Sequence, residues 1–301
     1  MNDIIVVCGP TASGKSAFAL KMAQSLGGVI INADAMQVYR QIPIITASPS
    51  KHDLQKAQHY LYNHVDVAEE YSAAKYIKEA TDVIKGLPEG KPAIVVGGTG
   101  LYINSLIYGI HKIPDISDEI RQDVRQQAKE QGAEYVYEKL KKVDALSSSK
   151  LNSADLKRVC RAYEVFMQTG KTIDSFYSPE NFYKPLDGYS IKTFFLNPER
   201  KFLYKICDTR FDGLLSSGAI HEAAYLLESW DTFNTSAKKA LGLAQIISYL
   251  KGEALLTEAS EMGKMHTRNF AKRQITWFKN QLQEHEVVSF ANAQEFEQAL
   301  V

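Results

Sequence analysis

The octapeptide GPTASGKS at 9–16 constrains this chain more than any other stretch. It satisfies G-x-x-x-x-G-K-[S/T] and follows Ile4-Ile5-Val6-Val7-Cys8, a continuous apolar run of a buried strand's length. Beyond it, Phe18, Met22 and Leu26 recur four residues apart, which predicts a helix from about Ser13 to Leu26. Strand, glycine turn and helix in that order make a loop whose backbone N–H groups and helix N-terminus receive a di- or triphosphate. Gly9, Pro10, Thr11, Ala12, Ser13 and Gly14 form the cradle, Lys15 adds a point charge, and the Ser16 hydroxyl is the candidate Mg²⁺ ligand. The motif says what is bound and leaves open which group moves.

Two further apolar runs are strand-sized. Val29-Ile30-Ile31 ends at Asn32-Ala33-Asp34, and Ala93-Ile94-Val95-Val96 ends at Gly97-Gly98-Thr99-Gly100. Between them, residues 73–84 mix apolar and charged side chains at helical spacing, so the first hundred residues alternate as a parallel α/β sheet does. Polar residues at the carboxyl ends of such strands face the ligand side. Enzymes that move a γ-phosphoryl group from such a loop usually hold a metal with an aspartate at the end of a later strand. Here the third strand ends in Gly-Gly-Thr and the second in Asp34, for which three roles stay open: general base, metal ligand or helix N-cap.

From about Asp115 the texture changes to Gln/Glu/Lys-rich stretches with apolar residues at helical intervals, which predicts a helical subdomain. Turn-formers and aromatics over 175–190 lead to Ile191–Leu196 (IKTFFL), another strand returning to the sheet. Helical segments follow at about 200–230, 236–251 and 257–283. The division expected is a core of 1–112 and 191–301 around a helical insertion at 113–190.

The chain has 35 Lys+Arg and 35 Asp+Glu, so any polyanion partner must be met by cations gathered locally. Such a gathering lies between Met262 and Gln283, where Lys264, Arg268, Lys272, Arg273 and Lys279 occur without an acid and alternate with Phe270, Trp277 and Phe278. A basic, aromatic helix of this kind suits RNA phosphates, while a solvated face with core aromatics is the plainer reading. Cys8, Cys160 and Cys207 lie far apart without metal or redox spacing and read as reduced thiols. The N-terminal run lacks a basic flank, and no apolar run reaches the ~18 residues a membrane span needs, so no membrane partner and a cytoplasmic location are expected.

Five blocks carry a resemblance beyond the phosphate loop: GPTASGKS at 9–16, DAMQVY at 34–39, VGGTGLY at 96–102, RAYEVFMQTGK at 161–171 and RNFAKRQITWF at 268–278. In this order and at these separations the chain resembles the tRNA isopentenyltransferases. The resemblance implies a P-loop NTPase-like parallel sheet flanked by helices, with a mostly helical inserted subdomain. It also implies transfer of a dimethylallyl group from dimethylallyl diphosphate to N6 of adenine 37, beside the anticodon of tRNA, with Mg²⁺, and a monomer is expected. Residues 9–16 then hold the donor's diphosphate, Asp34 becomes the general base, Thr99 sits near the reacting groups, and Arg210 joins Lys15 on the diphosphate. Asp34, Ala35, Met36 and Gln37 would line the adenine channel. Arg121, the segment Lys157-Arg158-Val159-Cys160-Arg161, and Arg268, Lys272 and Arg273 would contact tRNA. From residue type alone Thr99 is equally a turn hydroxyl, Arg210 a solvated helix charge and Gln37 a structural amide.

The chain departs from the family pattern at Ala35 (usually Ser), in Ile45-Thr46-Ala47-Ser48-Pro49 (usually Gly-Thr-Ala-Lys-Pro), at Asn63 (usually Asp, with His59 retained) and in Leu241-Gly242-Leu243 (usually Ile-Gly-Tyr). These departures are expected to fall in the RNA-facing shell. Rival readings are an adenylate isopentenyltransferase, a small-molecule kinase built on the same loop, and an RNA-binding relative without activity.

Overall fold

The computed structural model describes residues 3–233 and 236–300. Their contacts divide them into two compact units, residues 1–108 with 185–301, and residues 109–184.

The larger unit starts with β1 (Ile4–Cys8), α1 (Lys15–Leu26) and β2 (Val29–Asn32). The next elements are α2 (Lys51–Lys56), β3 (His59–Tyr60), α3 (Ala73–Gly86), β4 (Ala93–Gly97) and α4 (Gly100–Tyr108). Every residue of β1, β2 and β4 is buried. That is why they read as unbroken apolar runs: a parallel sheet covered on both faces has no polar side to alternate with.

The smaller unit opens with β5 (Ile110–His111) and packs α5 (Asp118–Gln131), α6 (Ala133–Val143), α7 (Ala145–Lys150) and α8 (Leu156–Thr169) together. Its core contains Val124, Val136, Leu140, Val159, Cys160 and Tyr163. The long polar stretch expected after Asp115 is split at Gly132, whose φ of +88° ends α5 and starts α6. The unit closes with β6 (Phe182–Tyr183), antiparallel to β5.

The chain returns to the larger unit with β7 (Ile191–Leu196), α9 (Arg200–Ser216), α10 (Ala219–Leu227), α11 (Leu243–Leu250) and α12 (Leu256–Gln281). The segment expected as one helix over 200–230 breaks at Gly218 (φ +104°). The segment expected from 236 becomes α-helical only at Leu243, after Gly242 (φ +86°). Two elements, β8 (Glu286–Val288) and α13 (Ala293–Ala299), follow where no structure was expected.

Among the described residues the sheet has six strands in the order β3-β2-β4-β1-β7-β8, all paired in parallel. The chain runs outward from β1 to β2, comes back to β4 beside β1, then continues at β7 on β1's other edge. That reversal opens a crevice at the carboxyl ends of β1 and β4. Among the described residues no helix is long and apolar enough to cross a membrane.

All three cysteines are free and buried. Burial pushes the Cys8 thiol up to about 12 and the Cys207 thiol to about 11. A thiol reagent at about pH 8 should therefore titrate none of them in the folded protein and all of them after denaturation. A fast-reacting thiol in the native state would contradict this packing.

Candidate active site

The phosphate loop takes its shape from two backbone positions in the left-handed region, Ala12 (φ +64°) and Gly14 (φ +80°). A non-glycine residue held there is strained, as binding loops often are. Gly14 also admits Phe296 of α13, whose ring edge would stand 2.5 Å from a Cβ at that position. The Pro10 carbonyl gathers the loop: it accepts the Ser13 hydroxyl at 2.8 Å and Lys15 Nζ at 2.5 Å. Burial lowers the Lys15 ammonium to about 8, with Asp34 opposing that fall and Arg210 adding to it. Burial likewise lowers Arg210, and Asp34 again opposes. Two cations and one carboxylate thus share one electrostatic environment.

Asp34 is presented by a fully buried asparagine. Asn32 Oδ1 accepts the Asp34 N–H at 2.8 Å, and Asn32 Nδ2 donates to the carbonyls of Asp34 (3.0 Å) and Leu61 (2.9 Å). The helix expected by the N-cap reading does not follow: residues 35–41 form bends and turns, with Tyr39 in an isolated parallel bridge to Val65. Asp34 Oδ1 accepts the Met36 N–H at 2.9 Å, an Asx turn that steadies the carboxylate. Thr99 faces the same point, its hydroxyl accepting the Ala35 N–H at 2.8 Å. The turn-hydroxyl role of Thr99 therefore holds, and it places the residue beside Asp34.

Asp34, Ala35, Met36, Thr99, Arg210 and Thr11 line one cavity of about 580 Å³. Ile45, Phe211, Leu214, Leu241, Phe270 and Trp277 give it apolar and aromatic walls, and Lys239, Arg273 and Gln274 add polar groups. Trp277 reaches this wall because Gly100 has no Cβ; one there would lie 2.2 Å from the indole ring. Arg210 is no solvated charge: half-buried, it donates to the Thr46 carbonyl at 3.4 Å.

Gln37 does not line this cavity. Its amide nitrogen donates to the carbonyls of Thr46 (3.1 Å) and Ala47 (2.8 Å) and so braces the 43–49 loop. Glu222, which sequence reasoning passed over, holds the same loop by accepting the N–H groups of Ile44 (2.9 Å) and Ile45 (2.7 Å). Ser16 is exposed and lines a second cavity of about 410 Å³ with Ser48, Lys56, His59 and Tyr62.

Of the departures from the family pattern, Ala35, Ile45 and Leu241 line the main cavity. Ser48 and Asn63 meet each other, the Ser48 hydroxyl donating to Asn63 Oδ1 at 2.9 Å, so two substituted positions form one neutral pair. Leu243 is fully buried in the larger unit and does not line the main cavity.

The basic helix α12 is less cationic than its own sequence suggests. Arg268 pairs with Asp208 at 2.5 Å, and Lys264 with Asp212 (2.8 Å) and Glu261 (3.2 Å). Lys272 and Arg273 are exposed without a carboxylate partner among the described residues, Arg273 lining the cavity with its guanidinium 5.6 Å from the Phe270 ring centre. Phe278, in contrast, is core.

In the smaller unit, Lys157, Arg158 and Arg161 line one cavity of about 460 Å³ with Lys150 and Tyr177. Val159 and Cys160, from the same expected tRNA segment, turn into the core and offer no side chain to a ligand. Arg121 is held by Asp118 (3.0 Å) and the Ile116 carbonyl (3.3 Å) at the start of α5.

Comparison with known proteins adds a second line. A family model described as IPP transferase matches residues 37–281. The chain is 47% identical over 301 residues to a tRNA dimethylallyltransferase of Rickettsia conorii, covering 99% of this chain and 82% of the relative. It is 45% identical to the corresponding protein of Rickettsia felis, covering 97% of that relative. Among solved structures, the full-length tRNA isopentenylpyrophosphate transferase of Bacillus halodurans superposes with a TM-score of 0.67 at 29% identity, covering 100% of this chain and 94% of the other. A eukaryotic dimethylallyltransferase acting on tRNA superposes at 0.81 with 26% identity, covering 99% of this chain and 76% of that one.

Proposed function

This chain belongs to the IPP transferase family, and from that premise we propose that its main cavity transfers a dimethylallyl group from dimethylallyl diphosphate to N6 of adenine 37 in the anticodon loop of tRNA. The observation that carries the reading is the make-up of that cavity. Asp34 and Arg210, coupled by charge to Lys15, open onto walls of Ile45, Phe211, Leu214, Phe270 and Trp277. Such walls suit a branched hydrocarbon and a flat base.

The phosphate loop at 9–16, in which Pro10 has no N–H and Gln274 already takes that of Thr11, holds the diphosphate with Lys15 and Arg210 and stabilises the charge that grows on it as the C1–O bond breaks. The adenine, drawn out of the loop stack, enters beside Asp34 and Thr99. Its N6 nitrogen bonds to C1, the diphosphate leaves with the C1–O electron pair, and the N6 proton passes to the Asp34 carboxylate.

A divalent ion fits the chemistry of the Ser16 hydroxyl, an exposed hard oxygen donor at the N-terminus of α1. Among the described residues no cluster of acidic, His or Cys side chains would hold such an ion unaided. We take it to be Mg²⁺, bound by Ser16 and the donor's phosphates, where it supplies charge neutralisation. The three buried free thiols accord with a cytoplasmic enzyme, and we take it to act as a monomer.

RNA contact falls to Lys272 and Arg273 in the larger unit and to Lys157, Arg158 and Arg161 in the smaller. Replacing Lys272 or Arg273 by Ala should each flatten the dependence of log Kd on log[salt] by about 0.7–0.9, one phosphate's share. Arg268→Ala should leave that slope unchanged, because Asp208 already neutralises Arg268. Equal slopes for all three variants would refute this division of the helix.

The acceptor is tested by offering labelled donor and Mg²⁺ with an anticodon stem-loop, AMP or ATP. Label is expected in the stem-loop. Label in AMP alone would establish the adenylate reading, and phosphoryl transfer from ATP the kinase reading.

A further inference from the structure

Gln274 lies on α12 next to Arg273 and is 6% exposed. Both ends of its amide are used. Oε1 accepts the Thr11 backbone N–H at 2.7 Å, and Nε2 donates to the Gly98 carbonyl at 2.8 Å. Thr11 belongs to the phosphate loop and Gly98 immediately precedes Thr99, so one side chain ties the loop after β1, the turn after β4 and α12. A leucine would fill the same space without the cost of desolvating an amide. A fully satisfied buried amide instead fixes how its neighbours sit.

We propose that Gln274 is a positioning residue for the transfer reaction. It locks the phosphate loop and the Thr99 turn to the helix that carries Arg273, so that donor and acceptor meet at a fixed separation. This rests on the isoprenoid-transfer reading above and adds to it the part that aligns the two substrates. The helix cannot move on the RNA without carrying the loop and the turn with it. A misplacement of about 1 Å between reacting groups is enough to cost about 10²-fold in rate.

Two variants reach the same link from opposite sides. Gln274→Leu keeps the volume and removes both hydrogen bonds. Gly98→Ala introduces a Cβ that would stand 2.4 Å from Nε2, with its next neighbours at 3.5 Å, so it displaces chiefly this amide. The measurements are kcat, KM for donor and for stem-loop RNA, calorimetric affinity for inorganic pyrophosphate with Mg²⁺, and melting temperature. Each single variant should lower kcat by about 10–100-fold and weaken pyrophosphate binding, with KM for RNA unchanged and the melting temperature lowered by no more than a few degrees. The double variant should lose no more than the worse single, since both break one link. Wild-type kcat and pyrophosphate affinity in Gln274→Leu, or losses that add in the double variant, would overturn the proposal. So would losses that track a falling melting temperature and RNA affinity together, which would make Gln274 a packing residue. If the wild-type protein itself transfers no isoprenoid, the functional reading fails separately, and the pyrophosphate titration still decides whether Gln274 sets the loop.

Discussion

Asp34→Asn lowers kcat by about 10²–10⁴-fold, the loss expected when a positioned base is removed, and leaves RNA affinity unchanged. Asparagine keeps the side chain's size and can still accept the Met36 N–H through its carbonyl oxygen, so the Asx turn survives. What disappears is the carboxylate that takes the N6 proton and that balances Lys15 and Arg210. Single-turnover transfer to a stem-loop, with RNA binding measured in parallel, separates the two. Full activity in Asp34→Asn would remove Asp34 from the role of base. Loss of RNA binding together with turnover would make its contribution structural.

Lys15→Ala is expected to lower kcat/KM for the donor by about 10²–10³-fold, the usual cost of deleting one preorganised group that meets developing charge. The ammonium sits among the loop carbonyls and amides, donating to Pro10, and is held by charge toward Asp34. Lys15→Arg should not restore it, because a planar fork cannot replace a compact point charge inside a tight loop. Steady-state kinetics with varied donor provide the check. A variant that keeps wild-type donor kinetics would show that the loop does not hold the diphosphate.

The central strands were legible because burial on both faces writes them as plain apolar runs, and GPTASGKS was legible because its backbone demands are local. The β8 strand was not: Glu286-Val287-Val288 is three residues long, lies at the sheet edge and leaves Glu286 and Val287 exposed, so no apolar period marks it. Helix existence after Asp115 could be read from spacing, but the break at Gly132 could not, since a lone glycine inside a periodic stretch is compatible with either outcome.

At the site, the residues that sequence missed act through partners far along the chain. Gln274 meets Thr11 across 263 positions and Glu222 meets Ile45 across 177. The charge of α12 was misjudged for the same reason: counting acids within 262–283 cannot see Asp208 and Asp212 on α9, which face Arg268 and Lys264. Val159 and Cys160 were drawn into the RNA-binding segment by their neighbours in sequence, whereas the helix turns them inward.

The central claim is that a loop built to bind phosphate serves here to release diphosphate while an alkyl group moves. It is tested most directly by quantifying, in one reaction of enzyme, dimethylallyl diphosphate, Mg²⁺ and anticodon stem-loop, the isopentenylated adenine formed and the phosphate species released. Equal amounts of modified adenine and inorganic diphosphate, with no orthophosphate, are predicted. Orthophosphate release, or diphosphate release without modified adenine, would contradict it.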